Sequence, residues 1–247
     1  MITAVIAQAR MGSTRLPGKV MMPLAGRTVL AHVLMRCQAI PGVDVVCCAT
    51  TDSESDDRVA AEADGLGAEV YRGSREDVLD RYHKAAQALG ADVIMRVTCD
   101  CPVIDPDVCA AVLKLRAETR SDYAANNLTP SWPHGLDCEA FTKEALGRAA
   151  AEARDPYERE HVTPWLRHHP DVKRVNLDGP GGDLAKHRWT IDYPEDHEFF
   201  QALFGYLARP PASARMKDIL EVLRLHPEIV EVNQAHAQAR QGVSTRG

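Results

Sequence analysis

A run of apolar residues, Ile2 to Ala9, empties directly into Arg10-Met11-Gly12-Ser13-Thr14-Arg15-Leu16-Pro17-Gly18-Lys19. The run reads as a buried strand, and a helical stripe follows the loop. In α/β folds such a strand-to-helix turn is where phosphates are held, by backbone N–H groups and by the positive end of a helix. Arg10, Arg15 and Lys19 add fixed charge. A solvated basic loop is the bland alternative, and its position after a strand argues against it.

Two familiar phosphate loops are excluded. A Walker A loop needs Gly, four residues, then Gly-Lys-Ser/Thr, but Gly18-Lys19 is followed by Val20 and Ser13 stands five before Gly18. The dinucleotide pattern G-x-G-x-x-G fails because Gly12 has no glycine partner at 10 or 14. The cations are the informative part of this loop.

Composition narrows the partners. A net charge of −6 over 247 residues argues against a general nucleic-acid binder, which would be basic. Local cations on an acidic chain suit a small anionic ligand. No run of 18 apolar residues suggests a membrane span. The N-terminal apolar run is too short for a signal peptide, so a cytoplasmic protein without membrane partners is expected. The seven cysteines include no C-x-x-C pair, which makes zinc improbable and reads as small apolar packing in a reducing compartment.

The periodicity is that of a doubly wound, mostly parallel α/β sheet. Strands are expected at Ile2–Ala9, Val43–Thr50, Ala68–Tyr71, Asp92–Val97, Asp122–Asn126, Leu136–Phe141, Val172–Leu177 and Arg188–Asp192. Helices are expected after a Thr28 cap, from Ser53, over Glu76–Leu89, Asp105–Thr119 and Thr142–Ala153, through Asp155–His169 with a break at Pro164, and over Pro194–Ala208 and Ala214–Leu225. One domain is expected over 1–234, with a smaller irregular excursion at 126–187 and a polar tail at 235–247.

Ligands of open α/β sheets bind at the carboxyl ends of the strands. There the fourth of these expected strands ends in Thr98-Cys99-Asp100-Cys101-Pro102. An acid leaving a buried strand beside a phosphate loop suits Mg²⁺, which takes one or two carboxylates plus phosphate oxygens; a turn Asp before Pro102 is the alternative. Asp192 closes Arg188-Trp189-Thr190-Ile191-Asp192 as a second strand-end acid, with a plain position near the helix N-cap as the alternative, and Glu195 and Asp196 are explained as first-turn helix acids after Pro194. In the irregular half, His134, Asp137, Glu139, Arg159, Glu160 and His161 suit a hydroxylated or anionic acceptor, such as an acidic sugar or a phosphonate. For His161 a plain polar helix position fits as well.

These stretches together resemble the cytidylyltransferase family, which includes the CMP-Kdo and CMP-acylneuraminate synthetases. Arg72-Gly73-Ser74, Asp77 to Tyr82, Gly135 to Glu139 and Arg159 to Pro164 resemble its SpsF-like branch of spore-coat polysaccharide biosynthesis. The resemblance covers about residues 2–208. It implies a Rossmann-like nucleotidyltransferase fold and an Mg²⁺-dependent attack of an acceptor oxygen on the α-phosphorus of CTP, releasing pyrophosphate. By position, Arg10, Arg15, Lys19 and Asp100 would be catalytic. Ala7, Ala9, Gly12, Ser13 and Arg72 would join them in holding the nucleotide, and Asp100 and Asp192 would hold metal. Cys99 stands where that branch typically has Gly, and either narrows the approach of the α-phosphate or points into the core. Family members are often dimers, and Phe199, Phe200 and Phe204 are read as apolar surface for a homodimer.

Two other readings stand beside this one. A glycosyltransferase of related fold would use a sugar nucleotide, usually with a D-x-D metal pair, whereas this chain has Asp100-Cys101-Pro102. A nucleotide-binding protein without catalysis would need only the loop.

Overall fold

Strand β1 (Thr3–Gln8) is paired on both sides, as its near-continuous apolar character requires. The computed structural model describes residues 1–237; the part of the expected tail at 238–247 lies outside the described residues. After β1 come a hairpin of β2 (Pro23–Leu24) and β3 (Arg27–Thr28), helix α1 (Val29–Gln38), β4 (Val45–Thr51), α2 (Asp57–Gly65) and β5 (Glu69–Gly73). Then follow α3 (Val78–Ala88), β6 (Val93–Thr98), α4 (Pro106–Thr119), β7 (Tyr123–Ala125), β8 (Glu139–Thr142) and α5 (Lys143–Glu152). The chain continues through α6 (Pro156–His161), α7 (Pro164–His168), β9 (Arg174–Asn176), α8 (Pro194–Tyr206), α9 (Met216–Leu225) and α10 (Glu228–Glu231).

The main sheet has seven strands in the order β5-β4-β1-β6-β8-β7-β9. All its pairs are parallel except those that β8 makes with β6 and β7. From β1 the chain winds outward through β4 and β5, then returns to lay β6 on the other side of β1. That reversal makes the crevice between β1 and β6 the topological switch point, the expected ligand position in such sheets.

Alternation along β1 builds two cores. Val5 and Ala7 face Leu30, Val33 and Leu34 of α1 and Cys109 and Val112 of α4. Ala4 and Ile6 face Val78, Leu79 and Tyr82 of α3 and Leu146 of α5. Tyr82 lies among apolar side chains, and its hydroxyl is satisfied by the Ile6 carbonyl at 3.0 Å, which ties α3 to the central strand. Thr28 caps α1 by accepting the Ala31 N–H at 3.0 Å, as its sequence position suggests.

Several expectations change. Arg188–Asp192 is no strand: it forms a single isolated bridge, Arg188 to His134, and its Ile191 N–H donates to the Asp100 carbonyl just beyond β6. The 126–187 excursion is woven into the main sheet, since it supplies β8, which pairs directly with β6. Phe199, Phe200 and Phe204 are buried with Trp189, Ile191 and Ile219 in a third apolar cluster under α8 and α9. These rings therefore offer no surface for a dimer. Residues 234–237 are helical, so the structured chain extends past the expected start of the tail. Among the described residues no helix is long and apolar enough to cross a membrane.

Candidate active site

The loop after β1 is pinned from beneath. Asp56 accepts the Met11 N–H at 2.7 Å and the Thr51 hydroxyl, so a carboxylate at the start of α2 fixes the loop entrance. The Met11 carbonyl accepts from Ser13 and Gly18, both at 2.9 Å. Gly18 has φ +73°, a left-handed turn that a Cβ would strain. That turn starts a single tight helical turn, Lys19–Met21, and points Lys19 back across the strand ends.

Lys19 is where the two sequence halves meet. Its ammonium lies 2.7 Å from Asp100 Oδ2, 2.9 Å from Asp192 Oδ1 and 2.8 Å from the Ile191 carbonyl. Asp192 also receives Arg15 at 2.8 Å on Oδ1 and Arg188 at 3.0 Å on Oδ2. Burial pushes the Lys19 ammonium down, but Asp100 and Asp192 override it and hold the pKa above its ordinary value. Burial pushes the two carboxyls up; Lys19, with Arg15 at Asp192, pulls both below the usual carboxylate range. All three groups stay charged at neutral pH, and three carboxylate oxygens remain oriented by cations.

These residues wall a cleft of about 310 Å³ at the switch point, lined by Ala9, Arg10, Ser13, Arg15 and Lys19 from the loop after β1 and by Asp100, Asp192 and His161. Arg10 is partly exposed, with Nη2 3.9 Å from Glu160 Oε1 and Nη1 donating to the Arg75 carbonyl at 3.5 Å. Glu160, an acceptor-side candidate from sequence, also lines the cleft, as do Gln8, Thr14, Val78, Arg81 and Thr98; of these, Val78 and Arg81 were given no site role from sequence. Gln8 Oε1 and Arg81 Nε are buried without a hydrogen-bond partner, which costs free energy unless a ligand satisfies them. Burial lowers the Arg81 pKa below its ordinary value. The signal for Arg81 was visible as a charge within the apolar stripe of Val78, Leu79 and Tyr82.

Other picks fall elsewhere. Ala7 is fully buried in the strand. Gly12 faces the Arg75 guanidinium, which a Cβ would meet at 3.4 Å. Arg72 turns away to Asp57 at 2.6 Å and to the Thr51 and Ser53 carbonyls. Arg159 is spent on Asp77 and on the Ala150 carbonyl at 2.8 Å. Glu139 is 1% exposed and holds Arg96, Arg167, Thr163 and Tyr123. It is a structural counter-ion in the sheet, beyond reach of an acceptor. His134 and Asp137 lie 3.8 Å apart and outside the cleft walls; the His134 ring stands 3.5 Å from Arg188. Cys99 is 1% exposed and packs in the apolar core, and it also lines the cleft beside Asp100.

The donor set fits a hard divalent cation. Asp100 and Asp192 present oxygens to one common point, now taken by the Lys19 ammonium, and no group of three His, Cys, Asp or Glu among the described residues could hold a metal alone. Two carboxylates that need phosphate oxygens to complete a shell are what Mg²⁺ uses with nucleotides.

A cytidylyltransferase family model matches residues 4–204, and the chain belongs to that family. It is a nucleotidyltransferase, of the class that transfers CMP from CTP. It is 34% identical over 238 residues to the Bacillus subtilis spore coat polysaccharide biosynthesis protein SpsF, covering 93% of this chain and 97% of that one. A cytidylyltransferase structure from Leptospira borgpetersenii superposes with a TM-score of 0.88 at 33% identity, covering 93% of this chain and 97% of that one. A 3-deoxy-manno-octulosonate cytidylyltransferase of Anaeromyxobacter dehalogenans is 39% identical over 113 residues, 44% of this chain and 45% of that one.

Proposed function

We propose that this enzyme is an Mg²⁺-dependent transferase that moves CMP from CTP to a sugar or sugar-like acid in surface polysaccharide or related biosynthesis, and that it works in the cytoplasm without nucleic-acid or membrane partners. The observation that carries the reading is Lys19 held between Asp100 and Asp192 at the mouth of a cation-rich loop.

Nucleotidyl transfer needs charge neutralisation and in-line alignment and no covalent nucleophile. Arg10, Arg15 and Lys19 supply charge along the loop, where Ser13 and its backbone face the same cleft. Their task is to hold the β- and γ-phosphates and to stabilise the leaving pyrophosphate. Asp100 and Asp192 would hold Mg²⁺, which supplies Lewis-acid stabilisation of the reacting phosphate oxygens. A triphosphate that takes up Lys19 and Arg15 releases oxygens of both carboxylates for that ion. His161 and Glu160 face the cleft from α6, on the side left for the acceptor. The seven cysteines are all buried and have no part in the reaction.

A glycosyltransferase of related fold usually carries a D-x-D pair, and the position two residues after Asp100 is Pro102. A thermal-shift comparison tests the assignment. CTP with Mg²⁺ raises the melting temperature more than ATP, GTP or UTP does; greater stabilisation by UTP or by a nucleoside-diphosphate sugar would refute the cytidine reading. A homodimer is part of the proposal through the family resemblance alone.

A further inference from the structure

The family match stops at residue 204, yet the chain runs on through α9 and α10 and returns to the Asp192 loop. Asn233 is 3% exposed. Its Nδ2 donates to the Arg188 carbonyl at 3.1 Å and to Asp196 Oδ1 at 3.0 Å. Arg188, itself 7% exposed, spreads its guanidinium over two acids. Nε reaches Asp196 Oδ1 and Nη2 reaches Asp196 Oδ2, both at 2.8 Å, while Nη2 also reaches Asp192 Oδ2 at 3.0 Å. Asp196 Oδ2 then accepts the backbone N–H groups of Asp192 at 2.8 Å and Tyr193 at 3.0 Å.

The cage holds both the backbone and the side chain of one residue. Asp192 lines the cleft, whereas Arg188, Asp196 and Asn233 do not. Oδ2 of Asp192 is turned to Arg188, which leaves Oδ1 turned to Lys19 and Arg15. The extension closes the outer side as well. The His236 ring stacks on Tyr193 with centroids 3.9 Å apart and planes 7° apart, and Ile229 packs in the cluster of Trp189 and Ile191.

The geometry points to Arg188 and Asn233 as positioning residues for Asp192: Arg188 aims one carboxylate oxygen into the cleft by holding the other, and Asn233, from the segment beyond residue 204, braces Arg188 and Asp196. This rests on the reading of Asp192 as a cation-side group of the active site. Partners behind a ligating carboxylate typically change metal affinity by about 10–100-fold when removed, and a planar Arg fork cannot be replaced by a Lys point charge.

The test compares Asn233→Ala, Arg188→Lys and Asp192→Asn in the full-length protein. Mn²⁺ is the probe, with its binding in the presence of CTP read from its EPR signal alongside kcat, the KM for CTP and the melting temperature. Asn233→Ala and Arg188→Lys each weaken Mn²⁺ binding about tenfold while the KM for CTP at saturating Mg²⁺ stays within about twofold and the protein remains folded. Arg188→Lys keeps the charge, so its loss separates aiming from electrostatics. Wild-type Mn²⁺ binding in both variants, with Asp192→Asn impaired, overturns the positioning role and leaves the active-site reading standing. Wild-type behaviour of Asp192→Asn overturns both. If Asn233→Ala does not fold, Asn233→Ser, too short to span both acceptors, takes its place with the same expected loss.

Discussion

Lys19 Nζ lies 2.7 Å from Asp100 Oδ2, joining a loop residue to a strand-end residue 81 positions later in the chain. The contact crosses the switch point between β1 and β6, so it measures the alignment of the two halves of the site.

Replacing Asp100 with Asn keeps the shape and removes the charge. Lys19 retains Asp192 at 2.9 Å and the Ile191 carbonyl at 2.8 Å, so it is not left buried without a partner, and the fold survives. Pyrophosphate release falls by about 10²–10³-fold or more, the scale on which a single preorganised electrostatic group acts. Steady-state assays with a melting curve on the same sample check this; unchanged turnover would remove Asp100 from the chemistry.

Gly135 follows His134, which makes the bridge to Arg188 that seats the Asp192 loop. It has φ +113°, and a Cβ there would fall 2.0 Å from the Trp189 carbonyl oxygen, a backbone atom that cannot rotate away. Gly135→Ala therefore destabilises by about 3 kcal/mol or more and lowers turnover by displacing 188–192. Gly42, with φ +82° and open space around it, gives the contrast: Gly42→Ala costs about 1–2 kcal/mol and leaves turnover alone. Chemical melts of both variants make the comparison.

Glu139 predicts an acid limb of stability. Burial raises its pKa, but Arg96 and Arg167 outweigh burial and bring it down to about 2, against about 4.3 for an unfolded Glu. The folded value is depressed, so this contribution is fully present above about pH 4.3 and is lost as pH falls toward 2. Glu139→Gln leaves two partly buried guanidinium groups underpaired around a buried site and costs about 3 kcal/mol at pH 7. Urea melts at pH 7 and pH 3 should show that cost shrinking with acid; an equal cost at both would contradict the ion cage.

What was legible in the sequence was local. The loop from Arg10 to Lys19, the apolar run of β6 ending at Asp100, and Thr28 as a helix cap each announce themselves within ten residues. The irregular half was harder because its charged residues find partners far away. Glu139 meets Arg96 on the neighbouring strand β6, and Arg159 meets Asp77 between α6 and the start of α3. Polar spacing alone could not separate these structural pairs from acceptor contacts. Asp196 shows the reverse error. Its place in the first turn of α8 gave a sufficient local explanation, while its fully buried carboxylate serves Arg188, Asn233 and two backbone N–H groups.

The most direct test of the central claim is pyrophosphate release from each of the four ribonucleoside triphosphates, with and without Mg²⁺, across a panel of acidic sugars and phosphonates. The account predicts release from CTP alone, dependent on Mg²⁺ and on an acidic sugar-like acceptor, with CMP recovered on that acceptor. Release from UTP or GTP in preference to CTP, or release that persists after chelation of the metal, would contradict it.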